Sequence, residues 1–422
     1  MIKDRNQKEM LYKHFRAQGW LAQIEVPVIP TVGVSQKAHS ITDIDVLGIR
    51  HFDLRWHYVI GDCKTKKSES PVNRVLWVRG LIEVIGASSA VVLLQRQAGT
   101  WIDRDHKLVA DEQNVLLIQE SEFPAYDRAI IYPSGSASFR EDLTTIEAIR
   151  EGIPVNFPAL ALLSSWLLSD SWAITDHSVL LRRSLVELSD QRGELDPRRD
   201  DHLALILEGC VVFSVAFATL VGKIFRRHIQ PEDRADLDEA IRVIIWGGRE
   251  QYEFFTKLRR QVINASGDEM GQLGLPEWTR FLELTRSLLE APRYAFRIPH
   301  FLRRLSTTLM SNRTHAVLER DKTLLQFTLK LTEYICRATG MPSDASARIR
   351  GLLVPRMTEL TETRTNSATH EQHQQAVLFR SEADDLQGVP VKSGQSSISP
   401  NDDDPFRENN GVANGSIGDN SG

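Results

Sequence analysis

Two apolar runs, Ile41-Thr-Asp-Ile-Asp-Val-Leu-Gly48 and Tyr58-Val-Ile-Gly-Asp-Cys-Lys64, decide how the first third of this chain folds. Each is rich enough in β-branched and apolar residues to be a core strand, yet each carries charge where a core strand excludes it. Charged groups are rarely buried unless they are paired or hold a metal. Strand periodicity puts Asp62 and Lys64, two residues apart, on one face. Asp45 on the neighbouring strand adds a second carboxylate. A divalent cation would offset the repulsion between the two acids, with Lys64 supplying a nearby positive charge.

Working outward, Met1–Gln18 predicts a helix and Ala22–Val26 a strand ahead of the pair. Behind it, Pro71–Ile85 predicts a helix opened by proline in its first turn. Ala90–Gln95 predicts a buried strand, Asp103–Gln113 a short helix and Val115–Gln119 another strand. Ala129–Tyr132 could add an edge strand. This order, with Asp45 in Asp-Val-Leu-Gly and Asp62-Cys63-Lys64 filling a (D/E)-x-K pattern, resembles the PD-(D/E)XK nuclease superfamily in its Mrr-like, restriction-endonuclease-like branch. The resemblance extends to about Glu120, under a third of the chain; the family more often has Glu where this chain has Asp62.

The resemblance implies an α/β domain with a central mixed sheet flanked by helices. It also implies a Mg²⁺-dependent endonuclease, with Mn²⁺ as a substitute, that hydrolyses DNA to a 5′-phosphate and a 3′-hydroxyl. Asp45 and Asp62 would be the metal ligands, joined by the backbone carbonyl of Cys63, and Lys64 would hold the attacking water. Glu9 matches an acidic residue that some members carry on the first helix as a further ligand. The chemistry is coherent: oxygen ligands suit Mg²⁺, a divalent ion neutralises the phosphodiester and acidifies bound water, and a lysine stabilises charge growing in the transition state. Competing readings of the same residues are an Asp62–Lys64 surface ion pair and Asp43 in place of Asp45. Lys66, Lys67 and Arg74, near the motif, are candidate phosphate contacts. Further basic clusters lie at Lys223, Arg226 and Arg227, at Lys257, Arg259 and Arg260, and at Arg303 and Arg304.

The net charge of −5 hides an uneven distribution. Residues 361–422 hold ten acidic against four basic side chains, which leaves residues 1–360 at +1. Overall acidity therefore argues neither for nor against a nucleic-acid partner. The tail is too polar to offset the entropy of ordering and is expected to be disordered. Three cysteines without zinc or CxxC spacing fit a reducing, cytoplasmic setting. There is no phosphate-cradling Gly-rich loop and no Gly-x-Ser-x-Gly elbow. The expected organisation is a nuclease-like domain over 1–125, a linker over 126–156, an all-helical domain over 157–360 and the acidic tail over 361–422.

Within the helical part, apolar residues recur at three- and four-residue spacing, as at Leu160, Leu163, Trp166 and Leu167. Leu203–Gly222 has the length and hydropathy of a membrane span. Glu208 inside it would cost about 3 kcal/mol near mid-bilayer, so a helix buried in an all-α core is the preferred reading and the membrane a minor alternative. A homodimer is plausible for two-strand cleavage. The rival to an enzyme is a catalytically inactive nuclease-like scaffold acting through its helical domain.

Overall fold

A computed structural model describes residues 4–29, 40–65, 70–97, 99–130, 143–228, 233–266, 273–311 and 319–362. Lys66, Lys67, Tyr132 and the tail beyond Glu362 lie outside the described residues. Helix α1 (Arg5–Ala17) leads into β1 (Leu21–Val28), β2 (Thr42–Phe52) and β3 (Arg55–Lys64). Then come α2 (Pro71–Ile85), β4 (Ser89–Leu94), α3 (Arg104–Glu112), β5 (Val115–Gln119) and α4 (Phe123–Ile130). The five strands make one sheet in chain order. β1, β2 and β3 run antiparallel, and β4 and β5 run parallel to β3.

The sheet is covered on both faces, which is why β4 and β5 read as unbroken apolar runs instead of alternating ones. On one face Leu11, Tyr12 and Phe15 of α1 pack against Ala22, Ile24, Val46 and Val59. On the other, Val75, Val78 and Ile82 of α2 pack against Val26, Leu47, Ile60 and Val92. Helix α2 starts at Pro71, with the Ser70 hydroxyl accepting from the Asn73 amide, and stops at Gly86, whose φ of +70° suits glycine. The edge strand expected from Ala129 is not there: Ala129 and Ile130 end α4. Phe123 and Tyr126, one turn apart, pack with the α1 face, which a helical period serves and a strand would not.

Beyond α4 the described chain is helical: α5 (Leu143–Glu147), a π-turn (Ala148–Gly152), α6 (Ile153–Asn156), α7 (Ala161–Leu168) and α8 (His177–Asp190). These lead to α9 (Asp200–His228), α10 (Arg234–Ile245), α11 (Arg249–Ser266), α12 (Trp278–Leu289), α13 (Arg293–Met310) and α14 (Lys322–Ala338), with α15 over 343–362. The apolar segment expected at Leu203–Gly222 is the middle of α9. It is long and apolar enough to cross a membrane, and 94% of its apolar window is buried inside the protein. Helices α8 and α13 lie against it.

The β2–β3 hairpin drives its tip into this bundle. Asp53 and Leu54 both take left-handed backbone angles, φ +49° and +53°, as a two-residue primed turn requires. Leucine is a costly residue there. Its side chain packs against the helical core, and Arg226 of α9 donates to the Leu54 carbonyl. The backbone approaches α9 so closely that a Cβ on Gly222 would sit 2.5 Å from the Leu54 oxygen. Trp56 adds a hydrogen bond from its indole N–H to the Val215 carbonyl at 3.0 Å.

A second link is ionic. Arg303 of α13 and Glu208 of α9 meet at 2.8 Å with neither side chain exposed. The same guanidinium donates to the Gln23 side chain at 3.0 Å and the Ala22 carbonyl at 3.3 Å on β1. Arg303 therefore cannot be the nucleic-acid contact suggested by its neighbour Arg304; it is a core residue. With these links Met1–Glu362 forms one compact unit.

Candidate active site

The β2–β3 ladder ends at the pair Val46–Gly61, and the next positions outward on the two strands are Asp45 and Asp62. Asp45 is fixed first by the backbone: its Oδ2 accepts from the Cys63 amide at 2.7 Å. Its Oδ1 lies 3.0 Å from the ammonium of Lys8 on α1. The same ammonium is 2.9 Å from Oε1 of Glu25, and Arg150 holds Oε2 of Glu25 at 3.0 Å. Burial opposes the charge on Lys8, but Asp45 and Glu25 together raise its pKa above the usual value, so it stays an ammonium.

Glu25 lies between the β1 pairs Ile24–Val46 and Val26–Ile44, directly across from Asp45. Its φ of +51° is left-handed. Both strands change face at this point: Ile24 and Val46 face α1, while Val26 and Ile44 face α2. The interruption turns the Asp45 and Glu25 carboxylates toward one lysine. Two acids across a strand pair would otherwise repel.

Asp62 is held from the opposite side of the sheet. Arg74 of α2 donates through Nε to Oδ2 at 2.6 Å and through Nη2 to Oδ1, a two-point grip. The Arg74 guanidinium in turn lies 3.9 Å from the centre of the Trp77 ring. Burial pushes the Asp62 carboxyl above the usual range; Arg74 pulls against that shift and the Asp45 charge adds to it. Lys64 is half-buried and two residues on, and its ammonium makes no hydrogen bond or ion pair among the described residues. The intervening Cys63 is fully buried, and burial pushes its thiol up, away from the thiolate form.

Of the residues singled out from the sequence, Asp45 lies on β2 and Asp62 and Lys64 on the neighbouring β3, with Asp45 held from the α1 side and Asp62 from the α2 side. Glu9 supplies no contact to them; its carboxylate sits between Arg5 at 3.0 Å and Lys13 at 2.6 Å. Asp43 is exposed and accepts from the Ser40 hydroxyl at 3.3 Å. Arg74 gives its Nε and Nη2 to Asp62. Lys8, Glu25 and Arg150 went unrecognised from the sequence. The signal for Lys8 was available: it shares a helical stripe with Leu11, Tyr12 and Phe15, where a lysine needs a buried partner.

The donor chemistry fits a hard divalent ion. Asp45 and Asp62 offer carboxylate oxygens that each use one lone pair on a protein donor and retain another. Mg²⁺ takes one or two carboxylates and completes its shell with water. Among the described residues no three His, Cys, Asp or Glu side chains form a group that could hold a metal ion. Lys8 and Arg74 supply positive charge to the same two carboxylates. Comparison with family models, with curated proteins and with solved structures gave no match to this chain, so the site is read from its own geometry.

Proposed function

We propose that this chain is a metal-dependent nuclease that hydrolyses phosphodiester bonds of DNA at Asp45, Asp62 and Lys64. The observation that carries the reading is the pair Asp45 and Asp62 at adjacent positions of β2 and β3, with Lys64, whose ammonium has no ion pair among the described residues, two residues beyond Asp62. The helix–strand order α1-β1-β2-β3-α2-β4, with β4 parallel to β3, supports it, being what the PD-(D/E)XK resemblance implies.

The two aspartates would hold Mg²⁺, which when bound neutralises phosphate charge and acidifies water. The Cys63 amide fixes the Asp45 carboxylate, so this ligand needs no reorganisation. Arg74 opposes the upward push that burial gives the Asp62 carboxyl. Lys64 orients the attacking water and meets the charge that develops on the phosphoryl oxygens. Lys8 neutralises the second acid, Glu25, that would otherwise crowd Asp45.

The test is nicking of supercoiled plasmid by the full chain with Mg²⁺ and with Mn²⁺. Lys64→Ala is expected to lower the rate at least about a hundredfold, the scale of losing one transition-state donor, with the circular-dichroism spectrum unchanged. One observation favours the rival, an inactive scaffold: Lys8 and Arg74 already neutralise both aspartates. Absence of cutting on duplex, single-stranded, branched and RNA substrates with either metal would establish that rival.

A further inference from the structure

At the far end of β2 from Asp45 lies a cleft of about 300 Å³ between the sheet and α13. Five residues of strand separate Asp45 from Arg50, about 17 Å at 3.3 Å per residue, so this is a separate place on the molecule. Its walls carry three arginines, Arg50, Arg297 and Arg304, with the imidazoles of His51 and His300 and the carboxylate of Glu319. We propose that this cleft binds a small molecule bearing a phosphate monoester or pyrophosphate, held by the three guanidinium groups.

The charge balance points to an anion. Arg304 pairs with Glu319 at 2.9 Å, and Arg297 reaches Asp321 at 2.5 Å and Glu319 at 3.9 Å. Among the described residues these two carboxylates serve Arg297 and Arg304. Arg50 is the one without an acid among the described residues: it lies over the Trp20 ring at 4.6 Å and donates only to the Gln18 carbonyl at 3.4 Å. A guanidinium laid on an indole face is pre-oriented and still offers its remaining N–H groups. Phosphate oxygens match that fork in a way carboxamides and carbonyls do not.

The histidines add to the argument. Their rings stand 6.5 Å apart. Burial and the neighbouring arginines push His51 down and His300 to about 3, so both are neutral imidazoles, able to donate on one nitrogen and accept on the other. His51 Nδ1 is buried with no hydrogen-bond partner. The volume is at the lower end of small-molecule sites, enough for a nucleotide or sugar phosphate and too small for a duplex. A ligand there would touch β2 and α13 together and so brace the sheet against the bundle.

The probes are pyrophosphate, adenosine monophosphate and ribose 5-phosphate, titrated into the full chain by calorimetry and by tryptophan fluorescence, since Trp20 underlies Arg50. Saturable binding of at least one probe at one site per chain is expected. Arg50→Ala and Arg304→Ala should each weaken it about tenfold or more. Arg50→Lys, which keeps the charge and loses the fork, should fall between, and Lys64→Ala should bind as the parent does. Absence of saturation by all three probes overturns the proposal, as does equal binding by Arg50→Ala. Binding only of a short DNA oligonucleotide, dependent on Arg50, would also overturn it by making the cleft part of a polymer track.

Discussion

Arg74 grips both carboxylate oxygens of Asp62, and Asp62 is 3% exposed. One side chain thus decides the protonation state of the group proposed to hold metal. Asp62 is raised above the ordinary carboxylate range by burial, and Arg74 limits that rise. Metal holding needs the ionised form, so activity falls as pH drops through this raised value. Removing Arg74 takes away the lowering influence and raises the value further. The acid limb of the nicking rate against pH should therefore move to higher pH in Arg74→Ala, and nicking at alkaline pH should survive. An unmoved limb would show that Asp62 is not the titrating group.

Lys8 lies between Asp45 and Glu25 with its side chain 5% exposed. Lys8→Met should leave two facing acids without their shared cation and cost about 3 kcal/mol of stability, the usual cost of breaking a buried pair. Adding Glu25→Gln should return part of the loss, because it removes the acid facing Asp45, which Arg150 alone would still pair. Urea unfolding of both variants measures this. A single variant as stable as the parent would contradict the arrangement.

The Glu208–Arg303 pair gives a different expectation. Glu208→Ala leaves a fully buried guanidinium without its acid and should cost about 3–5 kcal/mol. The double variant Glu208→Leu, Arg303→Met removes both charges. It should recover most of that, short of the parent by the lost hydrogen bonds from Arg303 to Gln23 and Ala22. Denaturant midpoints of the three proteins, at constant slope, decide it.

His177 is buried, bonded to the Tyr58 hydroxyl at 3.1 Å and to the Thr219 hydroxyl at 2.5 Å. Burial and then Lys223 push it down from 6.5 to about 4. Because the folded value is depressed, the unfolded chain binds the extra proton between these values. Stability from this group is complete above about pH 6.5 and is lost as pH falls toward about 4. Two to three units correspond to about 3 kcal/mol. His177→Gln should flatten the decline of unfolding free energy over that window by close to one proton. An unchanged slope would place the titration elsewhere.

Local patterns carried much of the architecture. Pro71 and Gly86 bracket α2, and apolar runs mark β4 and β5, because these elements are set by capping and by burial within a few residues. The placement of Asp45 and Asp62 on neighbouring strands was readable because antiparallel neighbours joined by a short turn have a fixed register. What escaped was three-dimensional. Whether Lys8 or Glu9 meets the sheet turns on about 100° of helix phase. Glu25 adopts a left-handed backbone with no glycine to announce it. Arg303 looks like half of a basic patch with Arg304, and only the distant Glu208 makes it a core residue.

The cover of α9 has a consequence for synthesis. Ribosomes release the chain from its N-terminus, so the apolar stretch around Val211 emerges well before α13, which later encloses it. During that interval a nascent chain displays a segment that targeting machinery could take for a bilayer anchor. Glu208, still lacking its arginine, makes transfer into lipid costly. The same carboxylate that is neutralised deep in the finished molecule thus raises the cost of lipid for the unfinished one.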